Sequence, residues 1–485
     1  MRPPGRRPYG PIMTTVAETS RETPGIFAQR HRALTVGMVA LIMLVAFEAL
    51  AVATAMPVVG RELDGLGLYA LAFSGALAAG MIATVLGGRW GDLYGPVVPL
   101  WAGVAVFAAG LVVSGTAPTM DVFVAGRFVQ GFGGGVFQVA LYVLVSRVYP
   151  AGLHPKVFSV FAAAWVVPSM IGPVITGVVV EGPGWRWVFL GVPLLVVPAA
   201  LLLWRGLAAA SAAGRTAAAG TSSGDRTPPG EHTASGGAAS GRTPIGRRLG
   251  WAVLTAGGAA LMQYGGAARD GGGPVLLLAG LAVLAAALPR LLPPGTVRVR
   301  RGLPSVIVLR GIVAGAFFGG ELFLPLMLSA ERGLSPAQAG LVLTGGALAW
   351  SLASWIAGRR PYDRVAILRT GPLLMAGGLL LVALAVLPGV PVAAAFLGEM
   401  LMGFGIGLVY PLLSVLVLEL SSPGEEGENS ASLGVGESVF TVTTVVAVGA
   451  VVAAFGATGP VYLACFALTA LVAAAGAPVA GRVRV

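Results

Sequence analysis

Apolar runs of about 20 residues, separated by short polar loops, recur along the whole of this 485-residue chain. A run of that length crosses a bilayer as a helix. Fourteen are legible, near 34–59, 68–88, 97–117, 121–146, 157–180, 187–206, 249–267, 273–290, 304–329, 335–357, 368–387, 391–418, 430–455 and 459–480. The pattern predicts an all-α polytopic membrane protein. The first run is too long for the core of a signal peptide, so it is expected to remain as a span. Residues 207–248 break the pattern. They are small and polar without an apolar period, and predict a flexible linker.

Composition sharpens this picture. The chain is 56% hydrophobic and 11% charged, and its 73 glycines suit close helix packing in lipid. The net charge of +11 lies in loops, so it signals orientation rather than nucleic-acid binding. Arg6, Arg7, Arg147, Lys156, Arg247, Arg248, Arg482 and Arg484 fall on one side of the spans. Glu62, Asp64, Asp121, Glu181 and Glu331 fall on the other. Both termini are therefore expected in the cytoplasm, with the protein in the plasma membrane. Glu425, Glu426 and Glu428 are acidic on the basic side, but acids weigh little in this rule.

Several chemistries lack their residues. Lys156 is the only Lys and is followed by Val157, so no phosphate-binding loop with Lys before Ser or Thr exists. The single Cys465 reads as a packing residue. His31, His154 and His232 lie in polar segments without metal-ligand spacing. No cofactor, metal or nucleic-acid partner is expected, no catalytic cluster is visible, and a monomer is expected.

Two long segments repeat. "GRFVQGFGGGVFQVALYVLVSRV" (126–148) aligns without gaps on "GEMLMGFGIGLVYPLLSVLVLEL" (398–420). Gly126, Gly131, Phe132, Gly133 and Gly135 match Gly398, Gly403, Phe404, Gly405 and Gly407. Arg127 falls on Glu399, and nearly the same offset carries Glu48 onto Glu321. Fourth span then matches twelfth, and first matches ninth. The predicted organisation is a tail (1–33), a six-helix bundle (34–206), the linker (207–248), an inserted helix pair (249–290) and a second six-helix bundle (304–480). Repeats of this kind place substrate and ion sites at their interface.

Glu48 stands near the middle of the first run, where a carboxylate costs roughly 2.5–3.5 kcal/mol. Arg127 stays charged and must find a partner or water. Such residues mark ion or substrate pathways.

Here the chain resembles the major facilitator superfamily, specifically its drug:proton antiporter branch with fourteen spans. "GRWGDLYGP" (88–96) is similar to the loop motif after the second span, with Gly88, Asp92 and Gly95 in place and Leu93, Pro96 and Val97 where the family has basic residues. The resemblance implies that Asp92 locks neighbouring helix ends. "GRFVQGFGGG" resembles the fourth-span motif through Arg127, Gln130, Gly131 and Gly133. "VPSMIGPVITG" (167–177) resembles the fifth-span antiporter motif, with Thr176 replacing one glycine. There Pro173 is expected to bend the helix, and Gly172 to permit close contact between the halves. "FEALAVATAMP" resembles the first-span motif, with Glu48 where the family carries Asp. "GWRWVF" (184–189) resembles the turn that opens the sixth span.

In that fold the first and fourth spans of each half line a central cavity. The resemblance implies that Glu48, Arg127, Glu321 and Glu399 converge there and couple protons. Gln138, Tyr142, Trp165, Phe317 and Tyr410 are candidate substrate-lining residues, with Phe318, Phe404 and Phe440 beside them. Glu437, deeper in its span, is a candidate second acid. Glu48 is the expected coupling acid. The expected function is a proton-coupled exporter of small amphipathic compounds, cationic or neutral. An exporter of a lipid, metabolite or endogenous antibiotic is the alternative, and a membrane enzyme or scaffold is the rival from another class. One charge crossing about 100 mV supplies roughly 2.3 kcal/mol, which sustains a gradient on the order of fifty-fold.

Overall fold

The computed structural model describes residues 25–64, 68–221, 245–267, 272–334, 336–358 and 363–483. It is built of helices. The first half contains α1 (Gln29–Glu62), α2 (Tyr69–Tyr94), α3 (Val97–Gly115), α4 (Met120–Val148), α5 (His154–Ala163), α6 (Val166–Glu181) and α7 (Arg186–Thr221). A pair follows, α8 (Ile245–Ala267) and α9 (Gly273–Leu291). The second half contains α10 (Leu303–Arg332), α11 (Pro336–Ala357), α12 (Arg364–Leu384), α13 (Ala393–Glu419), α14 (Glu426–Phe455), α15 (Gly459–Ala474) and the short α16 (Gly476–Ala480). Every apolar run meets a helix, and the fifth and last each meet two. Among the described residues, eleven helical stretches are long and apolar enough to cross a membrane.

Local chemistry explains two departures from the expected pattern. The fifth run breaks at Ala164 and Trp165, upstream of Pro173. Pro168 causes the break. Its nitrogen carries no hydrogen, and its ring collides with the carbonyl four residues back, which is that of Ala164. Pro173 lies within α6, and its side chain is outside the described residues. The second departure concerns the linker. Helix α7 runs on to Thr221 and α8 starts at Ile245, so both ends of 207–248 are helical. Ala dominates 207–219 and is the strongest helix former, which carries α7 past its apolar stretch. Residues 222–244 of the linker lie outside the described residues, as does the tail through residue 24.

The repeat is visible in the packing. Gly131 of α4 lies against the Ala76 carbonyl of α2, and its match Gly403 of α13 lies against the Gly346 carbonyl of α11. Gly133 meets Gly103 and Phe107 of α3, and Gly405 meets Gly371 and Met375 of α12. Residue by residue, α4 sits on α2 and α3 as α13 sits on α11 and α12. A β-carbon at any of these glycines would overlap a neighbouring backbone, so only Gly permits the approach.

The two halves meet near one face, which carries the start of α1 and the ends of α2 and α4; we call it the terminal face. Gly88 of α2 touches Gly427 of α14. Gly358, just after α11, touches Ser159 of α5, the related contact in the other half. Val139 and Val143 of α4 pack on Ala431 of α14. Helix α8 packs on both α2 and α14, so it lies on the seam between the halves, with α9 against it. Arg248 of α8 forms an ion pair with Glu428 of α14 there.

Glycine positions with and without space should behave oppositely. Gly405→Val should lower stability by about 1–3 kcal/mol or prevent folding. A β-carbon at Gly134 would find its nearest neighbour at 3.7 Å, so Gly134→Ala should be near neutral. Thermal unfolding of the detergent-purified variants checks both.

Candidate functional site

Helix α1 presents Glu48 and α4 presents Arg127 one turn before Gln130. All three side chains are buried, and both Glu48 and Gln130 accept hydrogen bonds from Arg127 Nη1. Arg127 Nε also donates to the Ala72 carbonyl of α2 at 3.3 Å. The chain therefore resolves the cost of Glu48 by supplying a guanidinium within the same half. Removing one partner of such a buried pair typically costs about 3–5 kcal/mol.

The second half carries an acid pair where the first has acid and base. Glu399 replaces Arg127 in the repeat, and Gly346 of α11 leaves room for its carboxylate. Glu399 is 1% exposed, and its Oε2 makes no hydrogen bond among the described residues. Glu321 of α10 is half-buried, and the repeat sets it opposite Glu399 as Glu48 is set opposite Arg127. Among the described residues, neither carboxyl forms an ion pair. Arg127 thus pairs with Glu48 inside the first half and not with an acid of the second. The reason is geometric. Arg127 is committed to Glu48, Gln130 and the α2 backbone, and so is unavailable to the acids of the second half.

A further buried charge is absent from the sequence expectations. Arg310 of α10 donates from Nε to Glu437 Oε2 at 2.7 Å. Its Nη1 donates to the Tyr410 carbonyl at 3.1 Å and to Ser414 Oγ at 3.2 Å. Its guanidinium lies 3.4 Å from the centroid of the Tyr410 ring, a cation–π contact. Tyr410 OH donates to Glu437 Oε1 at 2.8 Å. Glu437 is therefore the partner of an arginine. The signal was available in "PSVIVLRGIV", where an Arg interrupts an apolar run just as Arg127 does.

The aromatic candidates divide. Phe317 packs edge-on to Phe318 at 5.3 Å and to Trp350 at 5.0 Å, and Trp350 packs on Tyr410 at 5.4 Å. This ladder begins one turn from Glu321 and ends on Arg310. Trp350, well inside α11, is a member of this ladder that is absent from the sequence expectations. Tyr142 OH lies 3.4 Å from Ser414 Oγ, a contact between the halves. Gln138 is exposed, and Trp165 is 39% exposed at the α5–α6 break. The open side of Gly172 faces its own half, while α6 as a whole also packs on α11 of the other half. A β-carbon at Gly172 would meet Phe47 and Leu50 of α1, in the same half, at 3.7 and 3.9 Å.

Asp92 occupies the terminal face. Its carboxylate accepts from the Gly427 amide at 2.7 Å and the Glu428 amide at 2.9 Å, the first turn of α14. It thus caps a helix of the other half, using amides that no intrahelical carbonyl reaches. Gly95 takes φ +83°, the turn that ends α2. Where the loop lacks basic residues, Arg147 of α4 donates to the Gly91 carbonyl at 3.3 Å. On the opposite face, Trp185 of the "GWRWVF" turn donates to Glu62 at 2.7 Å.

With this geometry in hand, comparisons with known proteins are decisive. The family profile described as Major Facilitator Superfamily matches residues 37–440. The chain belongs to the Major Facilitator Superfamily. It is 25% identical over 420 residues to the multidrug transporter protein MdtP of Bacillus subtilis (strain 168), covering 82% of this chain and 71% of that one. It is 27% identical over 353 residues to the probable multidrug-efflux transporter Rv1634 of Mycobacterium tuberculosis (strain ATCC 25618 / H37Rv), covering 69% of each. The fold matches that of the human organic anion transporter MFSD10 (TETRAN) with a TM-score of 0.66 and 15% identity, over 93% of this chain and 99% of that one. The proton:xylose symporter XylE gives 0.61 at 15% identity, over 91% and 94%. These relatives are transporters, not enzymes, and this superfamily member is a multi-pass membrane transporter.

Two outcomes follow from the geometry. Arg127→Ala should lower stability by about 3–5 kcal/mol, and the double variant Glu48→Gln/Arg127→Gln should cost less than the sum of its singles. Chemical denaturation in detergent measures both. Asp92 lies beyond the apolar stretch of α2, and burial pushes its carboxyl from 3.8 up to about 6, against the pull of the two amides. A carboxyl that holds its proton more tightly in the closed state favours closure fully below about 3.8 and loses that preference as pH rises through about 6. Spin-label distances across the terminal face should therefore lengthen between about pH 4 and 6, and Asp92→Asn should remove the dependence.

Proposed function

We propose that this protein is a proton-coupled exporter of small amphipathic cations, and that cargo and proton exchange on the Glu321–Glu399 pair. One observation carries the reading: the repeat sets two carboxyls where the first half has an acid and an arginine, with Glu399 Oε2 unpaired and neither carboxyl in an ion pair among the described residues. Two carboxylates do not both stand uncompensated in such a site. Either a proton or a positively charged cargo supplies the missing charge, and each excludes the other. Exchange follows without contact between the two ligands. Glu48 is the weaker candidate for this exchange, because Arg127 already neutralises it and cannot leave.

The multidrug names of the relatives support export, and the Phe318–Phe317–Trp350–Tyr410 ladder supports an aromatic or lipophilic cargo beside the acids. Arginine-bearing loops on the terminal face support its placement in the cytoplasm, with fourteen spans and the plasma membrane as the setting. The halves then rock about the site between two open states.

Proton release on adding tetraphenylphosphonium to detergent-purified protein in weak buffer tests this. The parent chain and Glu48→Gln should release protons equally. Glu399→Gln should release less than half as many and bind the cation about tenfold more weakly. Loss of release in Glu48→Gln, with full release in Glu399→Gln, would return the coupling role to Glu48.

A further inference from the structure

Exchange at Glu321 and Glu399 makes no use of Arg310, yet Arg310 bonds three residues on two other helices. From α10 it reaches Glu437 on α14 and both Tyr410 and Ser414 on α13. One guanidinium thus holds two helices in a fixed relation. Each of those helices contacts the first half. The α14 amides of Gly427 and Glu428 sit on Asp92, and Ser414 of α13 meets Tyr142 of α4.

Two features show that this arrangement serves more than packing. Tyr142 and Ser414 are matched to each other by the repeat, so they meet where equivalent points of the two halves come together. Arg310, in contrast, has no counterpart. The register that carries Glu48 onto Glu321 carries Gly37 onto Arg310, and Gly37 packs directly against the backbone of Leu203. The fold is built in the first half without such a charge. Symmetric packing therefore does not require it in the second.

We infer that Arg310 is a positioning residue for alternating access: it joins α13 and α14 into one unit, so that the contacts on Tyr142 and Asp92 form and break together. This rests on the export reading only in taking the terminal face as one that opens during transport. Without the guanidinium, Ser414 keeps an acceptor in its own helix, the Tyr410 carbonyl at 3.2 Å, and is no longer fixed for Tyr142. Glu437 loses its counter-charge, and the Tyr410 hydroxyl is left as the polar tie between α14 and α13. The closed state loses its concerted grip. An open state, in which Tyr142 and Ser414 are already apart, loses less.

The test uses the full chain in lipid nanodiscs without any cargo. Spin labels are placed at Leu93→Cys and Ser422→Cys, both exposed on the terminal face and one in each half, with Cys465→Ala removing the native thiol. The parent should show a dominant short distance. Arg310→Gln should reduce that population at least threefold, and Arg310→Lys should recover more than half of it. Tyr142→Phe, which keeps the ring and removes the hydroxyl, should shift it in the same direction by less. In proteoliposomes, ethidium export by Arg310→Gln should lose at least tenfold in kcat with KM within twofold of the parent. Parent-like distances in Arg310→Gln would overturn the inference. So would a raised KM with unchanged kcat, which would place Arg310 at the cargo. If Arg310→Gln does not fold, parent-like distances in Tyr142→Phe overturn it instead. Absence of ethidium export by the parent would count against the export reading and leave the distance result standing.

Discussion

A charge held in an apolar helix bundle must be compensated, and that constraint organises this molecule. Glu48 and Arg127 answer each other within the first half. Arg310 and Glu437 answer each other within the second, with Tyr410 supplying both a ring face and a hydroxyl. Glu321 and Glu399 form no ion pair among the described residues. The satisfied pairs are structural commitments, since each member would be costly to expose alone. The unsatisfied pair is where a mobile charge has something to do. Function in this fold is read from the exception to the compensation rule.

The two halves share a scaffold of glycine contacts but not a distribution of charge. Gly131 and Gly403 bring α4 and α13 against equivalent neighbours, and the closing contacts Gly88–Gly427 and Gly358–Ser159 are also related. On this symmetric frame the chain places asymmetric devices. Asp92 caps α14, whereas Asp363 caps its own helix α12 through Val365 and Ala366. Arg310 faces an equivalent position occupied by Gly37. A symmetric frame supplies two alternative states of similar energy, and asymmetric contacts of a few kcal/mol then bias one over the other. The inserted pair adds to this bias, because Arg248 ties α8 to Glu428 beside the Asp92 cap.

These features connect by a single helix. The first turn of α14 is held by Asp92 and Arg248, and Glu437 farther along is held by Arg310. Movement of α14 therefore registers at the terminal face and in the interior together. Distant sites influence one another in this way when they bias the same two-state element.

Much of this was legible in the residues alone. Apolar runs long enough to span, the repeat of a glycine cluster, and charges set in apolar surroundings follow from local sequence, because bilayer thickness and hydrocarbon solvation act on any stretch regardless of its neighbours. The break of the fifth run was also local, set by Pro168 and its missing amide hydrogen, although Pro173 was the more conspicuous residue. Which charges pair was decided only by the tertiary structure. Arg127 lies far along the chain from Glu48, and whether it meets Glu48, Glu321 or Glu399 depends on the packing of α1, α2 and α4. Glu437 read as a free acid until α10 brought Arg310 to 2.7 Å from it. Sequence determines which groups are too polar for their surroundings; helix packing decides which partner each one finds, because ion pairs and hydrogen bonds act over a few ångströms that spacing along the chain does not encode.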